Sequence, residues 1–374
     1  MNIIRAGGQE FFDILPPLAV DWKITERCNY RCSYCFFYGK GKKHPRQMPF
    51  STLDQLKTAV DNIVSLNRPW YRFTLSGGEP TIHPHFFDLI TMLHETFGER
   101  LNYITITSNG SRNNELYKKL FDISKEIFIK MQISIHTDHA EKDHILELIE
   151  NLSNNINLHF FLMFNPAKRE LAHEIYDALL EYRKKFPFTM DISLIRDGDR
   201  FDPRYKEEDF AWHKKALAQF KELVKTVNVK VPIWKKNRYP LPKIIRDIEN
   251  NGKITTVNQN RSSDFAKGLL NYRGMYCLAY TSAIAINPLG RCGGMICGVA
   301  PRICNLFEKD AFIALRDNLI QAVPCYRNIC GCSNNDGIPK FASEEEAKKY
   351  LEFAKKRQAE LFDEYLDTRT FEKS

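Results

Sequence analysis

An α/β fold built on a parallel sheet is predicted by three observations. Between residues 18 and 196, six strand-like runs alternate with segments of helical periodicity; glycine turns and a cysteine triplet fall where strand-like runs end; and no internal repeat or low-complexity tract breaks the order. Each intervening helix returns the chain in the same direction, so the strands lie parallel, and such a sheet is expected to curl.

The elements follow in order. Residues 18–25 read as a strand running into the cysteine loop. Ser51 with Asp54 marks a helix start, and Leu53, Leu56, Val60, Ile63 and Val64 recur at helical spacing behind it. Tyr71 to Leu75 is the second strand, ending in Ser76-Gly77-Gly78-Glu79-Pro80. A helix over Phe86 to Phe97, a strand over Tyr103 to Thr107 and the turn Ser108-Asn109-Gly110 continue the alternation. A short helix near Glu115 to Phe121 and a strand over Ile127 to Ile135 come next. Ile145, Leu148, Ile149 and Leu152 then give an apolar helix face, followed by a strand over Ile156 to Phe164, a helix over Arg169 to Lys185 and a strand over Thr189 to Ile195.

Cys28, Cys32 and Cys35 stand in one tight loop after the first strand, spaced C-x3-C-x2-C. Deprotonated thiols are good ligands for iron or zinc. A structural zinc site is normally closed by four protein ligands, whereas an iron–sulfur cubane on three cysteines keeps one iron free. A zinc knuckle completed by a distant group such as His44, or three buried core cysteines, are the alternatives at this point.

The pattern C-x3-C-x-aromatic-C, with Tyr34 as the aromatic residue, resembles the cluster loop of the radical S-adenosylmethionine (radical SAM) superfamily. That resemblance implies a [4Fe-4S] cluster on Cys28, Cys32 and Cys35, S-adenosylmethionine (SAM) on its open iron, and a partial (β/α)6 barrel as the fold. It also implies that Gly77, Gly78 and Glu79 contact the methionine amino group, and that Asn109 and Ser134 contact ribose or carboxylate. Read from the residues alone, the paired glycines let a ligand approach the backbone and Glu79 suits an ammonium group, while Asn109 is equally a turn residue. His136 shares a strand face with Ser134 and is a candidate for the substrate cavity or for catalysis; a hydrogen-bonded structural histidine is the alternative. The cysteine loop, the Gly-Gly-Glu-Pro turn, Asn109, His136 and Arg196 are all expected at the C-terminal ends of the strands, where barrels of this kind gather their sites.

After Cys35 no cysteine occurs for 241 residues, and then Cys277, Cys292, Cys297, Cys304, Cys325, Cys330 and Cys332 follow. Residues 282–286, the turn Asn287-Pro288-Leu289-Gly290 and the residues beyond read as a hairpin. A cysteine before a hairpin, others after it and a distal Cys-x4-Cys-x-Cys knot resemble the SPASM and twitch extensions of radical SAM enzymes, implying one or two auxiliary iron–sulfur clusters. Cys292 and Cys297 compete for the ligand position after the hairpin. Ser343 with Glu346 reads as the cap of a C-terminal helix.

Three regions are expected: a barrel over 1–196, a basic insert over 197–267, and a cysteine-rich extension with its helix over 268–374. Residues 196–267 hold 17 Lys or Arg against 10 Asp or Glu, which reads as a solvated face or as a collar steering an anionic substrate. The chain's 374 residues, 43% hydrophobic, suffice for a large core. Ten cysteines are too few for a disulfide scaffold, no span is apolar enough for a membrane helix, and the N-terminus lacks a signal-peptide pattern. A cytoplasmic location, no membrane partner and no nucleic-acid partner are therefore expected, with a flavodoxin- or ferredoxin-like electron donor implied by the resemblance. The side chain of a ribosomally made peptide is the first substrate reading. Against it, only 27 residues precede Cys28, too few for a leader-peptide recognition domain. An amino sugar or nucleotide-linked sugar is the alternative substrate, and a zinc-binding structural or regulatory protein the alternative class.

Overall fold

The computed structural model describes residues 18–35, 48–68, 70–197, 200–227, 245–248, 254–256, 272–279, 283–294, 302–318, 321–326, 340–349, 351–352 and 356. Cys297, Cys330, Cys332, His44 and about half of the basic insert lie outside them.

Six strands alternate with helices: β1 (Leu18–Thr25), α1 (Leu53–Val64), β2 (Tyr71–Gly77), α2 (Phe86–Phe97), β3 (Leu101–Ser108), α3 (Asn114–Ile123), β4 (Ile129–His136), α4 (Lys142–Leu152), β5 (Asn157–Phe164), α5 (Arg169–Arg183) and β6 (Thr189–Leu194). They hydrogen-bond in sequence order, and every pair is parallel. This is the α/β partial barrel that the alternation predicts.

One face of each strand supplies the core. Phe73, Leu75, Ile104, Ile106, Ile133, Ile135, Phe160 and Leu162 pack with Leu56, Ile63, Leu89, Leu93, Leu148 and Ile149 from the helices in one continuous buried cluster. The apolar face of α4, read from the sequence as Ile145, Leu148, Ile149 and Leu152, is buried throughout. On β4 and β5 the alternate residues, Lys130, Gln132, Ser134, His136, His159, Phe161 and Met163, are half-buried on the face turned away from the helices. Ser134 and His136 share that face as expected.

Three details differ from the sequence reading. The cap of α1 is Thr52, whose hydroxyl accepts from Gln55 N (3.2 Å) while Gln55 Oε1 accepts from Thr52 N (2.9 Å). Ser51 instead turns inward to pair with His83 Nε2 at 3.1 Å. The alternation also runs one element past residue 196, into the segment read as a basic insert. A helix over Glu207–Thr226, α6, lies on α5 and β6: Tyr176 donates to the Ala216 carbonyl (2.7 Å), His213 Nε2 meets the Ile192 carbonyl (3.0 Å), and a bidentate Arg169–Asp209 pair joins the starts of α5 and α6. Its lysines face outward while Ala216 and Phe220 are buried, so charge counting hid an amphipathic helix.

The third difference concerns the cysteine-rich end. The expected hairpin forms, with Ala283–Ile286 antiparallel to Arg291–Gly293, which is in turn antiparallel to Arg302–Asn305. Yet Ala283–Ile286 also pairs in parallel with β1, Ala19 to Trp22 matching Ala283 to Ile286, so these strands extend the barrel sheet itself. Asn62 on α1 ties them down further by donating to the Leu306 and Glu308 carbonyls (3.0 and 2.9 Å). A separate small ladder pairs Tyr276–Cys277 with Val323–Pro324 and Lys340–Phe341. Ser343 caps the following helix through Glu346 N at 3.2 Å, as read from the sequence.

Candidate functional site

The chain leaves β1 at Thr25 and enters the cysteine loop, and the ends of β2, β3 and β4 each grip a different part of that loop. The β2 grip is made by backbone. Gly78 N donates to Thr25 O and Glu79 N to Arg27 O, both at 2.8 Å. The glycines permit this closeness: a Cβ on Gly77 would lie 1.9 Å from Thr25 O, one on Gly78 2.1 Å from Arg27 O, and Gly77 has φ +142°.

Glu79 does not present its carboxylate outward. It is fully buried, with Oε1 accepting from Thr81 N (3.1 Å), Thr81 Oγ1 (2.6 Å) and Ser108 Oγ (2.9 Å), and Oε2 from Asn109 N (2.6 Å). Burial pushes its pKa up against those four donors. In this structure Glu79 joins the end of β2 to the end of β3, a tie within the protein that stands beside the ammonium-binding role read for it from the sequence.

Asn109 makes the β3 grip. Its Nδ2 donates to Asn29 Oδ1 (2.9 Å) and reaches the Cys28 sulfur (3.7 Å), and its Oδ1 accepts from Ser111 N (3.0 Å). Asn29 in turn donates to Ser111 Oγ at 2.7 Å. The Asn109 amide is thus directed at the cysteine loop rather than at open space.

The β4 grip is carried by His136, Asp138 and His139. Tyr34 OH and His136 Nδ1 lie 3.0 Å apart, Ser33 donates N–H and O–H to Asp138 Oδ2 (both 2.9 Å), and Arg31 N donates to His139 Nε2 (3.3 Å), against which Tyr30 stacks at 4.5 Å. Burial, reinforced by His139, lowers His136 to about 4, so its ring is neutral at pH 7. His136, read as a cavity or catalytic candidate, has its contact with the aromatic residue of the cysteine loop. Asp138, His139, Asn29, Ser111, Thr81 and Ser108 escaped the sequence reading; a polar residue within four places of a strand end was the available signal.

The three sulfurs are electrostatic neighbours. Burial foremost pushes the Cys28 thiol up, against the Tyr30 N–H that meets it at 3.4 Å; Cys32 rises to about 12 through burial, the Asp138 carboxylate and the other two sulfurs. Such thiols stay protonated until a cation displaces the protons. Three soft donors on one loop, with N–H groups aimed at a sulfur, fit an iron–sulfur cluster. Among the described residues, no three His, Cys, Asp or Glu side chains converge closely enough to hold a single metal ion.

The four described C-terminal cysteines fall into two pairs. Cys292 and Cys304 are directly opposite across the hairpin sheet, with Cys292 0% exposed in the core. The neighbouring Cys304 sulfur and burial push the Cys292 thiol up. Cys277 and Cys325 belong to the small ladder, where Cys277 faces Val323 and Cys325 N donates to Met275 O at 2.8 Å. Alternation puts these two on one side, diagonal neighbours about 7–8 Å apart by ladder geometry.

A parallel β/α barrel whose first strand delivers three thiols to the ends of the next three defines an enzyme organised around a metal–sulfur centre. Residues 22–155 match the Radical SAM superfamily, and that match supports an enzyme. The superfamily implies a [4Fe-4S] cluster and SAM as cofactors. Among solved structures, anSMEcpe with bound AdoMet is 16% identical, with 93% of this chain and 96% of that one covered at a TM-score of 0.50, a likeness that shows the fold. Streptococcus suis SuiB is 14% identical over 82% of this chain and 67% of that one, with a TM-score of 0.47. BtrN in complex with AdoMet and 2-DOIA is 11% identical over 81% and 87%, with a TM-score of 0.38. No helix among the described residues is long and apolar enough to cross a membrane.

Proposed function

We propose that this enzyme cleaves SAM reductively at a [4Fe-4S] cluster held by Cys28, Cys32 and Cys35 and uses the resulting radical to modify a side chain of a ribosomally made peptide. The single observation that carries the reading is the convergence of β2, β3 and β4 on the cysteine loop. The bound cluster and SAM supply one-electron chemistry, a 5′-deoxyadenosyl radical able to remove a hydrogen atom from an unactivated C–H bond. The chain's own residues do the rest. Gly77 and Gly78 hold the start of the loop against the end of β2, Asn109 places an amide N–H by the Cys28 sulfur, and Tyr34 is oriented through its hydroxyl by neutral His136. Ser134 and His136 share the half-buried face of β4, and His136 reaches the loop through Tyr34.

An auxiliary cluster is part of the proposal. Cys277 and Cys325 are its first two ligands, because the small ladder brings them to one side, and Cys297, Cys330 and Cys332 are its remaining candidates. Such a cluster would accept the electron left when a substrate radical becomes a closed-shell product, with a flavodoxin- or ferredoxin-like protein as the primary donor.

Anaerobic reconstitution tests the reading. The expected result is brown protein with about eight or more irons per chain, from two four-iron clusters, and 5′-deoxyadenosine on reduction with SAM. Converting Cys28, Cys32 and Cys35 together to Ala abolishes SAM cleavage and leaves the auxiliary iron. Tightly bound zinc without visible absorption or SAM cleavage overturns it. A short peptide reading frame beside the gene supports the peptide substrate; sugar-pathway genes refute it.

A further inference from the structure

The turn after β4 touches the cysteine loop at three successive points, and one of them has a polarity that can be inverted. Ser33 lies between two of the cluster cysteines. Its N–H and O–H both end on Asp138 Oδ2, at 2.9 Å each. The other carboxylate oxygen, Oδ1, accepts from Asn165 Nδ2 at 2.6 Å, and Asn165 Oδ1 accepts from Ala167 N at 3.0 Å at the end of β5. The turn that carries Asp138 is itself closed by His139 N and Ala140 N donating to His136 O (2.9 and 2.8 Å), and Thr137 Oγ1 donates to Met163 O (3.2 Å). A chain of hydrogen bonds whose donors converge on Asp138, from Asn165 on one side and from Ser33 on the other, therefore links β5 to the backbone between Cys32 and Tyr34.

We propose that Asp138 is a positioning residue for the cluster loop, fixing the Cys32–Cys35 segment through Ser33 while Asn165 fixes Asp138. The inference rests on the radical SAM reading above. It goes further in naming two residues, from the ends of β4 and β5, that hold the loop although neither is a ligand. Two hydrogen bonds on one carboxylate oxygen commit the Ser33 N–H and O–H to Asp138. Asp138 ties the segment to β4; without it the exposed Ser33 N–H and O–H turn to water and that tie is lost.

The directionality supplies the test. Asp138→Asn sets its new amide against a donor, Asn165 Nδ2 or Ser33 N; Asn165→Asp sets two carboxylates face to face. The double variant D138N/N165D restores a complete chain with reversed polarity, because the amide introduced at position 138 donates to the carboxylate introduced at position 165, which still accepts from Ala167 N. All are made in the full-length reconstituted protein. Two readouts besides activity are followed: the rate of iron loss to a chelator, and the electron paramagnetic resonance signal of the reduced cluster that disappears in the triple cysteine variant, with and without SAM.

Each single variant is expected to lose that cluster's iron at least about tenfold faster, the equivalent of one charge-assisted hydrogen bond, and to show a broadened signal with a weakened response to SAM. The double variant should return both readouts towards wild type, and auxiliary iron should be unchanged throughout. Ser33→Ala, which removes a single donor, should shift both readouts the same way by less, and it serves if D138N does not fold. Single variants indistinguishable from wild type overturn the proposal, as does a double variant no better than D138N or a Ser33→Ala variant without effect. A wild-type chain that binds no iron at all refutes the radical SAM reading instead, so the two failures are distinguishable.

Discussion

Replacing Gly77 with Ala probes the β1–β2 junction on which the cysteine loop is built. The new Cβ would meet Thr25 O at 1.9 Å, and a carbonyl oxygen at this point belongs to backbone, with no rotamer to swing aside. Reaching even the 3.0 Å limit requires a displacement of about 1.1 Å, which stretches the adjacent 2.8 Å bond from Gly78 N to Thr25 O past hydrogen-bonding distance. Loss of that bond costs about 1–3 kcal/mol, and holding alanine at φ +142° costs about 1–3 kcal/mol more, so the variant should lose about 2–6 kcal/mol. Gly98→Ala is the control: φ is +48° and ψ −124° there but nothing lies within 4 Å of the added methyl, so only the backbone strain of about 1–3 kcal/mol is expected, with no clash and no lost hydrogen bond. Urea unfolding of the iron-free chain, followed by far-UV circular dichroism, gives the two midpoints, and limited proteolysis between residues 26 and 35 reports on the loop. A G77A variant within about 1 kcal/mol of wild type, or no worse than G98A, would refute the idea that steric closeness at Thr25 positions the loop.

Four further outcomes follow from the same geometry. Thr52→Ala should destabilise by about 0.5–2 kcal/mol through loss of the capping box, with urea midpoints as the check. Leu148→Ala, at a fully buried point on α4, should cost about 2–5 kcal/mol by the same measurement. Arg169 holds the Asp209 carboxyl below its ordinary range, so the pair's contribution is complete above the usual carboxylate pKa of about 3.9 and is lost as the pH falls through the lower folded value. Asp209→Asn should therefore lower stability near neutrality and flatten its decline on the acid side, read from unfolding midpoints across about pH 2 to 7. Finally, Cys292→Ala should leave the iron content of the reconstituted protein unchanged, since that sulfur is enclosed in the core, whereas Cys277→Ala should lower it; iron analysis decides.

Much of this architecture was legible in the sequence because burial is periodic. Ile145, Leu148, Ile149 and Leu152 declare a helix face, and the isoleucines of β4 declare a strand whose other face holds Ser134 and His136. The cysteine spacing and the Gly-Gly-Glu turn were legible as chemistry for a different reason: their residue types serve few purposes together. What the sequence hid is partnership across the chain. Glu79 looks like a free carboxylate until Thr81, Ser108 and Asn109 are folded around it, and nothing local marks Asp138 as the acceptor for Ser33. The α6 helix was obscured by its lysines, whose charge is a surface property and carries no information on the face beneath. Likewise Ser51 and Thr52 are equivalent caps on paper; the buried pairing of Ser51 with His83 separates them.

The pairing of Ala19–Trp22 with Ala283–Ile286 also governs when the protein can finish folding. On a nascent chain β1 emerges long before the strand that lies along its outer edge. Loop-closure entropy for so distant a contact makes that docking slow compared with the neighbouring β/α units, which zip up locally. Until residues 283–286 are made, the strand that feeds the cysteine loop therefore presents an unpaired edge on this side, a template for association with other chains. A protein truncated before residue 283 should on this ground aggregate rather than persist as a soluble half-barrel, and expression yields of chains ending before and after the hairpin would register the difference.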